Sequence, residues 1–171
     1  EDSPLSFLRH DSSLTDALLA DCHYNLDELT QLLELVVAAP KRCQVGQHYI
    51  QAIALHRTTV LATNLLEHQE YQLVSIGASW LMGRSPTCAI ALKHASVSRC
   101  HAVIGCNLSQ GFYLTDLGSS NGTRVNRRSL TPHQRQVLRD GDLLQIGDLK
   151  AEFFLASSLD RKPVLQEATY H

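Results

Sequence analysis

The sequence predicts an α+β chain, with a small N-terminal helical region followed by an all-β sandwich. Three observations carry this expectation. Apolar residues recur at helical spacing before residue 40, short apolar runs alternate with turn signals from Tyr71 onward, and no helical insert interrupts that second part.

The first eleven residues are polar and are expected to be a flexible N-terminus. Ser13 with Asp16 makes a start resembling a capping box, and Asn25 with Glu28 makes a second. After the second start, Leu26, Leu29, Leu32, Leu33, Val36 and Val37 fall on one helical face until Pro40 ends the run. From Gly46 to His68 a weaker amphipathic pattern, with Tyr49, Ile53, Val60, Leu61 and Leu65 inside, predicts a third helix. The β-branched Thr58, Thr59 and Val60 are stiff there and oppose it. A helical unit spanning 12–68 is too small to be stable alone, so its apolar face is expected to pack on the second region or on another copy. In the latter case it would be an oligomerisation unit.

The sandwich is built from short runs: Tyr71 to Ile76, Trp80 to Met82, Cys88 to Leu92, Ala102 to Cys106, Phe112 to Leu117, Arg124 to Asn126, Val137 to Arg139, Leu143 to Ile146 and Glu152 to Leu155. Gly111, Asn121-Gly122, Asp140-Gly141 and Gly147-Asp148 punctuate them. Residues 158–171 read as a polar tail.

The 171 residues carry a net charge of −2, which hides an asymmetry. Residues 1–70 hold ten acids and four bases, a balance of −6, and residues 83–139 hold eight bases and one acid, a balance of +7. The basic middle is expected to meet something anionic. The longest strongly apolar stretch is too short and too polar to span a membrane. The five cysteines have no CxxC spacing, which argues against a cysteine-built zinc site or a disulfide framework and points to a reducing, cytoplasmic compartment. No metal and no cofactor are expected.

Three clusters at turns carry the chemistry. Gly83-Arg84-Ser85-Pro86 puts a guanidinium at a loop mouth, where its planar fork suits two phosphate oxygens. Val97-Ser98-Arg99-Cys100-His101-Ala102 adds a hydroxyl, a second cation and a histidine able to tie loop backbones together through its two nitrogens. Asp116-Leu117-Gly118-Ser119-Ser120-Asn121-Gly122-Thr123 combines glycines that tolerate positive φ with small polar residues, the composition of an anion cradle. A hydrolase built on Ser98, His101 and Asp116 is rejected, because the sequence has no GxSxG elbow and nothing suggests an oxyanion hole. A nucleic-acid binder is disfavoured because the basic stretch lacks aromatic–basic interleaving beyond Phe112 and Tyr113.

Taken in order, GRS, VSRCHA, DLGSSNGTRVN and LRDGDLLQIGD resemble the forkhead-associated (FHA) domain family over residues 72–157. The resemblance implies a β-sandwich of about eleven strands whose loops at one end bind phosphothreonine peptides. It implies that Arg84 clamps the phosphate, that Ser98, Ser120 and Arg99 contribute to it, and that Asn121 holds the peptide main chain. His101 would buttress the loops, with Gly83, Gly118 and Gly122 shaping the backbone. Two departures stand out: Ala89 where the family often has Asp or Asn, and Arg127-Arg128 where it usually has Gly after Asn126. The two arginines enlarge the positive field and would favour acidic residues in the target.

The expected function is a phosphothreonine-dependent signalling adaptor, not an enzyme, acting downstream of a Ser/Thr kinase. The alternative is an oligomeric scaffold whose FHA-like domain makes phosphorylation-independent contacts. Thr15, in an acidic context, is a candidate self-ligand if phosphorylated.

Overall fold

The structure is a computed structural model, and it describes residues 12–66, 72–74, 78–107 and 109–157. The terminal segments 1–11 and 158–171, for which flexibility was expected, lie outside these residues.

Two helices open the chain. Helix α1 (Ser12–Asp21) buries Leu14 and Leu18, and begins one residue before the expected cap. Helix α2 (Leu26–Arg42) starts where expected, with the Asn25 side chain accepting from the amides of Asp27 and Glu28. Its apolar face is Leu29, Leu32, Leu33 and Val36, recurring every three to four residues. Pro40 does not end it: the helix runs two residues further with the proline inside its last turn.

The segment from Gly46 to His68 is a correction to the sequence reading. Its described part forms strands β1 (Tyr49–Ala54) and β2 (Thr59–Thr63), paired antiparallel. Both faces of β1 are covered: Ile50 and Ala52 enter the sandwich core, while Ile53 packs under the helices. A strand buried on both sides loses the period-two alternation that identifies one, and its apolar positions then mimic a helical stripe. The β-branched run at Thr58–Val60 was the correct signal.

Strands β3 (Gln72–Val74), β4 (Ser79–Gly83), β5 (Ile90–Ala91), β6 (Ala102–Asn107), β7 (Gly111–Asp116) and β8 (Thr123–Val125) follow. After them come β9 (Arg128–Ser129), β10 (Arg135–Val137), β11 (Leu143–Ile146) and β12 (Leu149–Ser157). They form a seven-stranded sheet, β3-β2-β1-β12-β11-β8-β9, and a five-stranded sheet, β10-β7-β6-β4-β5. The first and last strands of the sandwich, β1 and β12, run parallel from Tyr49↔Glu152 to Ala54↔Ser157. The sandwich therefore begins at Tyr49 and not at residue 72.

The core between the sheets holds Ile50, Leu61, Trp80, Met82, Ile104, Leu114, Leu144 and Phe153. Trp80 stacks on Phe112 at 6.4 Å between ring centroids, and Phe112 meets Phe153 at 6.2 Å. On the other side of the seven-stranded sheet, Leu14, Leu18, Leu29, Leu32, Leu33 and Val36 pack with Ile53, Val60, Ala62 and Ala156. The apolar face of the helices is thus buried on the chain's own sheet. Three polar anchors fix this layer. Buried Asp21 accepts from the Arg57 amide and the Thr58 hydroxyl, buried Glu152 accepts from the amides of Gln44 and Val45, and Arg42 pairs with Asp140 at 2.9 Å. Among the described residues no helix is long and apolar enough to cross a membrane.

Candidate functional site

Three loops meet at one end of the sandwich: β4–β5, the segment before β6, and β7–β8. Gly83, which ends β4, brings the first two together. A Cβ there would collide with the Arg99 carbonyl and stand 3.0 Å from the Ser98 carbonyl oxygen, so only glycine lets the backbones close. That closure is hydrogen-bonded: the Arg84 amide donates to Ser98 O at 2.9 Å, and the Ser85 amide donates to Arg99 O at 3.1 Å.

His101, fully buried, joins the second loop to the third. Its Nδ1 accepts the Ser98 amide at 3.0 Å, so Nδ1 is unprotonated and Nε2 carries the hydrogen that goes to Gly122 O at 3.0 Å. Its backbone extends the same link, donating to Met82 O and accepting from the Leu117 amide. The histidine positions loops.

Asp116 organises the third loop from beneath. One carboxylate oxygen accepts the Ser119 and Thr123 hydroxyls at 2.6 Å each, and the other accepts the Gly118 and Ser119 amides at 2.9 and 3.0 Å. Burial pushes this carboxyl's pKa up, but the bonds from Ser119, Thr123 and Gly118 outweigh it and hold it below the ordinary 3.8. Gly118 and Gly122 sit at φ of 77° and 78°, left-handed backbone that a β-carbon disfavours.

The result is an open cleft of about 570 Å³ lined by Arg84, Ser85, Ser98, Arg99, Cys100 and Ser120. The exposed Arg84 donates Nε to Val97 O at 3.1 Å, which steadies the guanidinium and leaves both terminal nitrogens uncommitted to that bond. The Ser98 hydroxyl accepts the Ser120 amide at 3.0 Å and retains its own proton for donation. Four of the five residues expected to bind, Arg84, Ser98, Arg99 and Ser120, therefore share one cleft. The fifth, Asn121, is not among its lining; its side-chain N–H donates to Ser96 O at 2.8 Å and ties down the neighbouring loop. Sequence reasoning missed Ser85 and Cys100 as lining residues. Ser85 stood beside Arg84 in the first cluster, whereas nothing marked Cys100.

Ser98, His101 and Asp116 do not assemble a nucleophile–base pair. His101 reaches the Ser98 amide, not its hydroxyl, and Nε2 lies 4.0 Å from Asp116, which the serine, threonine and amide donors already occupy.

Comparison with known proteins agrees with the geometry. The FHA domain family model matches residues 80–147. Human kanadaptin is 31% identical over 121 residues, covering 65% of this chain and 15% of that protein. The oxoglutarate dehydrogenase inhibitor of Corynebacterium efficiens is 44% identical over 71 residues, covering 42% of this chain and 47% of that protein. The chain thus spans less than half the length of either relative. A solved structure described as a structural and functional analysis of phosphothreonine-dependent FHA domain interactions is 31% identical, with a TM-score of 0.41, covering 47% of this chain and 78% of that one. Residues 80–147 of this chain are an FHA domain, a member of a family of phosphothreonine-binding interaction modules.

Proposed function

We propose that the cleft takes the phosphothreonine side chain of a partner protein, and that the chain acts as an adaptor downstream of a Ser/Thr kinase. The observation that carries this reading is the convergence of Arg84, Ser98, Arg99 and Ser120, from three loops, on one open cleft. A phosphothreonine presents close to two negative charges and three strong acceptors. Arg84 supplies the charge-assisted donors, Ser98 a hydroxyl donor already oriented by the Ser120 amide, and Arg99 a second cation. Asn121 spends one amide N–H on Ser96 and keeps its other N–H and its carbonyl for the peptide main chain. Against the cost of ordering a peptide, these contacts support a dissociation constant on the order of micromolar.

The arginine pair lies at the β8–β9 turn, at the end of β8 away from the β7–β8 loop and beside Asp142, which accepts from the Asn126 side chain. Asn126 and Arg127 hold left-handed backbone there, and both Arg127 and Arg128 are exposed. The expectation that this pair favours acidic residues around the phosphothreonine therefore draws no support from its position. The scaffold alternative draws less support, since the helical face that would pair with another copy is buried on the chain's own sheet. All five cysteines are free, which supports placing the chain in a reducing compartment.

The test is nuclear magnetic resonance mapping during titration with a phosphothreonine peptide. The reading requires shifts centred on the amides of Arg84, Ser85, Ser98–Cys100 and Ser119–Asn121. Shifts centred on α1 and α2, with those amides unmoved, would remove it.

A further inference from the structure

A second constellation lies on the helical layer. His23 sits in the α1–α2 turn, Glu28 in the first turn of α2, and His56 in the β1–β2 turn. One ligating atom from each, an imidazole nitrogen or a carboxylate oxygen, lies within 4.8 Å of the other two. The imidazole rings stand 5.5 Å apart, edge to face. Both histidines are exposed and Glu28 is half-buried, so none of the three serves to fill the core. Among the described residues, none of these side chains has a hydrogen-bond or ion-pair partner of its own.

The backbone holds the cluster together. His23 and Tyr24 both adopt left-handed backbone, at φ of 52° and 56°. Asp21, two residues before His23, accepts the amide of Arg57 and the hydroxyl of Thr58, the residues that follow His56. The turns carrying the two histidines are therefore fastened to each other by a carboxylate that does not itself belong to the cluster.

We propose that His23, Glu28 and His56 bind one zinc ion. Two imidazoles and a carboxylate are a donor set that zinc accepts, and three protein ligands leave a fourth position open to water or an exogenous ligand. Tetrahedral coordination at ordinary zinc bond lengths puts ligand atoms about 3.3 Å apart. The ligand atoms start within 4.8 Å of one another, and both imidazoles are exposed and so have room to turn toward a shared ion. The ion clips the α1–α2 turn to the β1–β2 turn, so it binds the folded chain and raises its melting temperature. The expectation of no metal rested on cysteine spacing, which says nothing about histidines distant in sequence and brought together by the fold.

Calorimetric titration of the untagged full chain with zinc chloride tests this, on the wild type, His56→Gln and Glu28→Gln. The proposal predicts one equivalent of zinc bound by the wild type with a rise in melting temperature, and affinity weakened about tenfold or more in each variant. Wild type that takes up no zinc, or variants that bind it as the wild type does, overturns it. The latter result would locate the zinc elsewhere on the chain.

Discussion

His101 shows how a buried side chain can shape the loop cleft without lining it. Its two nitrogens bond the Ser98 amide and the Gly122 carbonyl, so His101→Ala removes the partner of the Ser98 amide, leaves Gly122 O only the Gly147 amide, and opens a void at a fully buried position. The expected cost is about 2–4 kcal/mol in denaturant unfolding, with phosphopeptide binding lost alongside. Asp116 supplies the pH dependence. Its folded pKa lies below 3.8, so its contribution to stability is fully present above about pH 4 and is lost as pH falls through the folded value. Acid titration of the wild type should therefore show a loss of stability below pH 4 that is reduced in Asp116→Asn. At this scale the sequence was informative where chemistry dictates residue type: a guanidinium after a glycine, a serine beside an arginine, glycines at left-handed turns. Cys100 was invisible because a thiol at a cleft wall carries no compositional signal. The Asn121 contact to Ser96 depends on a loop pairing that local sequence does not encode.

At the scale of the elements, close backbone approach decides the site's shape. Gly83→Ala would push a Cβ into the Arg99 carbonyl, and backbone cannot yield as a flexible side chain can. The expected outcome is a loss of about 2 kcal/mol or more in chemical unfolding and displacement of the Arg84 and Ser98 amides in a heteronuclear spectrum. The two helices were legible because α2 exposes one face and buries the other, which preserves its period. Strands β1 and β2 were not, because helices on one side and the sandwich core on the other bury both faces of β1. Pro40 was a partial signal: it marks the last turn of α2 and not its end.

For the whole molecule, the packing of the helical layer on the sandwich predicts that the two unfold together. The apolar face of α1 and α2 has its partners on β1, β2 and β12, and Arg42, Asp21 and Glu152 bind the layer to the strands at three places. Leu33→Ala, which opens a gap in that layer, should cost about 2–4 kcal/mol. It should shift the helical circular dichroism and the fluorescence of Trp80, on the opposite side of the sheet, through a single coincident transition. Two separate transitions would show the helices to be an independent unit. The charge asymmetry of the chain, −6 before residue 71 and +7 across 83–139, also belongs to this scale, and would favour contact of an anionic partner with the sandwich over the helical layer.

The central claim is that the loop cleft recognises phosphate, and one measurement reaches it directly. Paired phosphothreonine and unphosphorylated peptide libraries are titrated against the wild type and Arg84→Ala. The account predicts binding of the phosphorylated library alone, weakened by about tenfold or more in Arg84→Ala as a charge-assisted bond of about 1.5–3 kcal/mol is lost. Equal binding of both libraries, or undiminished binding by Arg84→Ala, would contradict it.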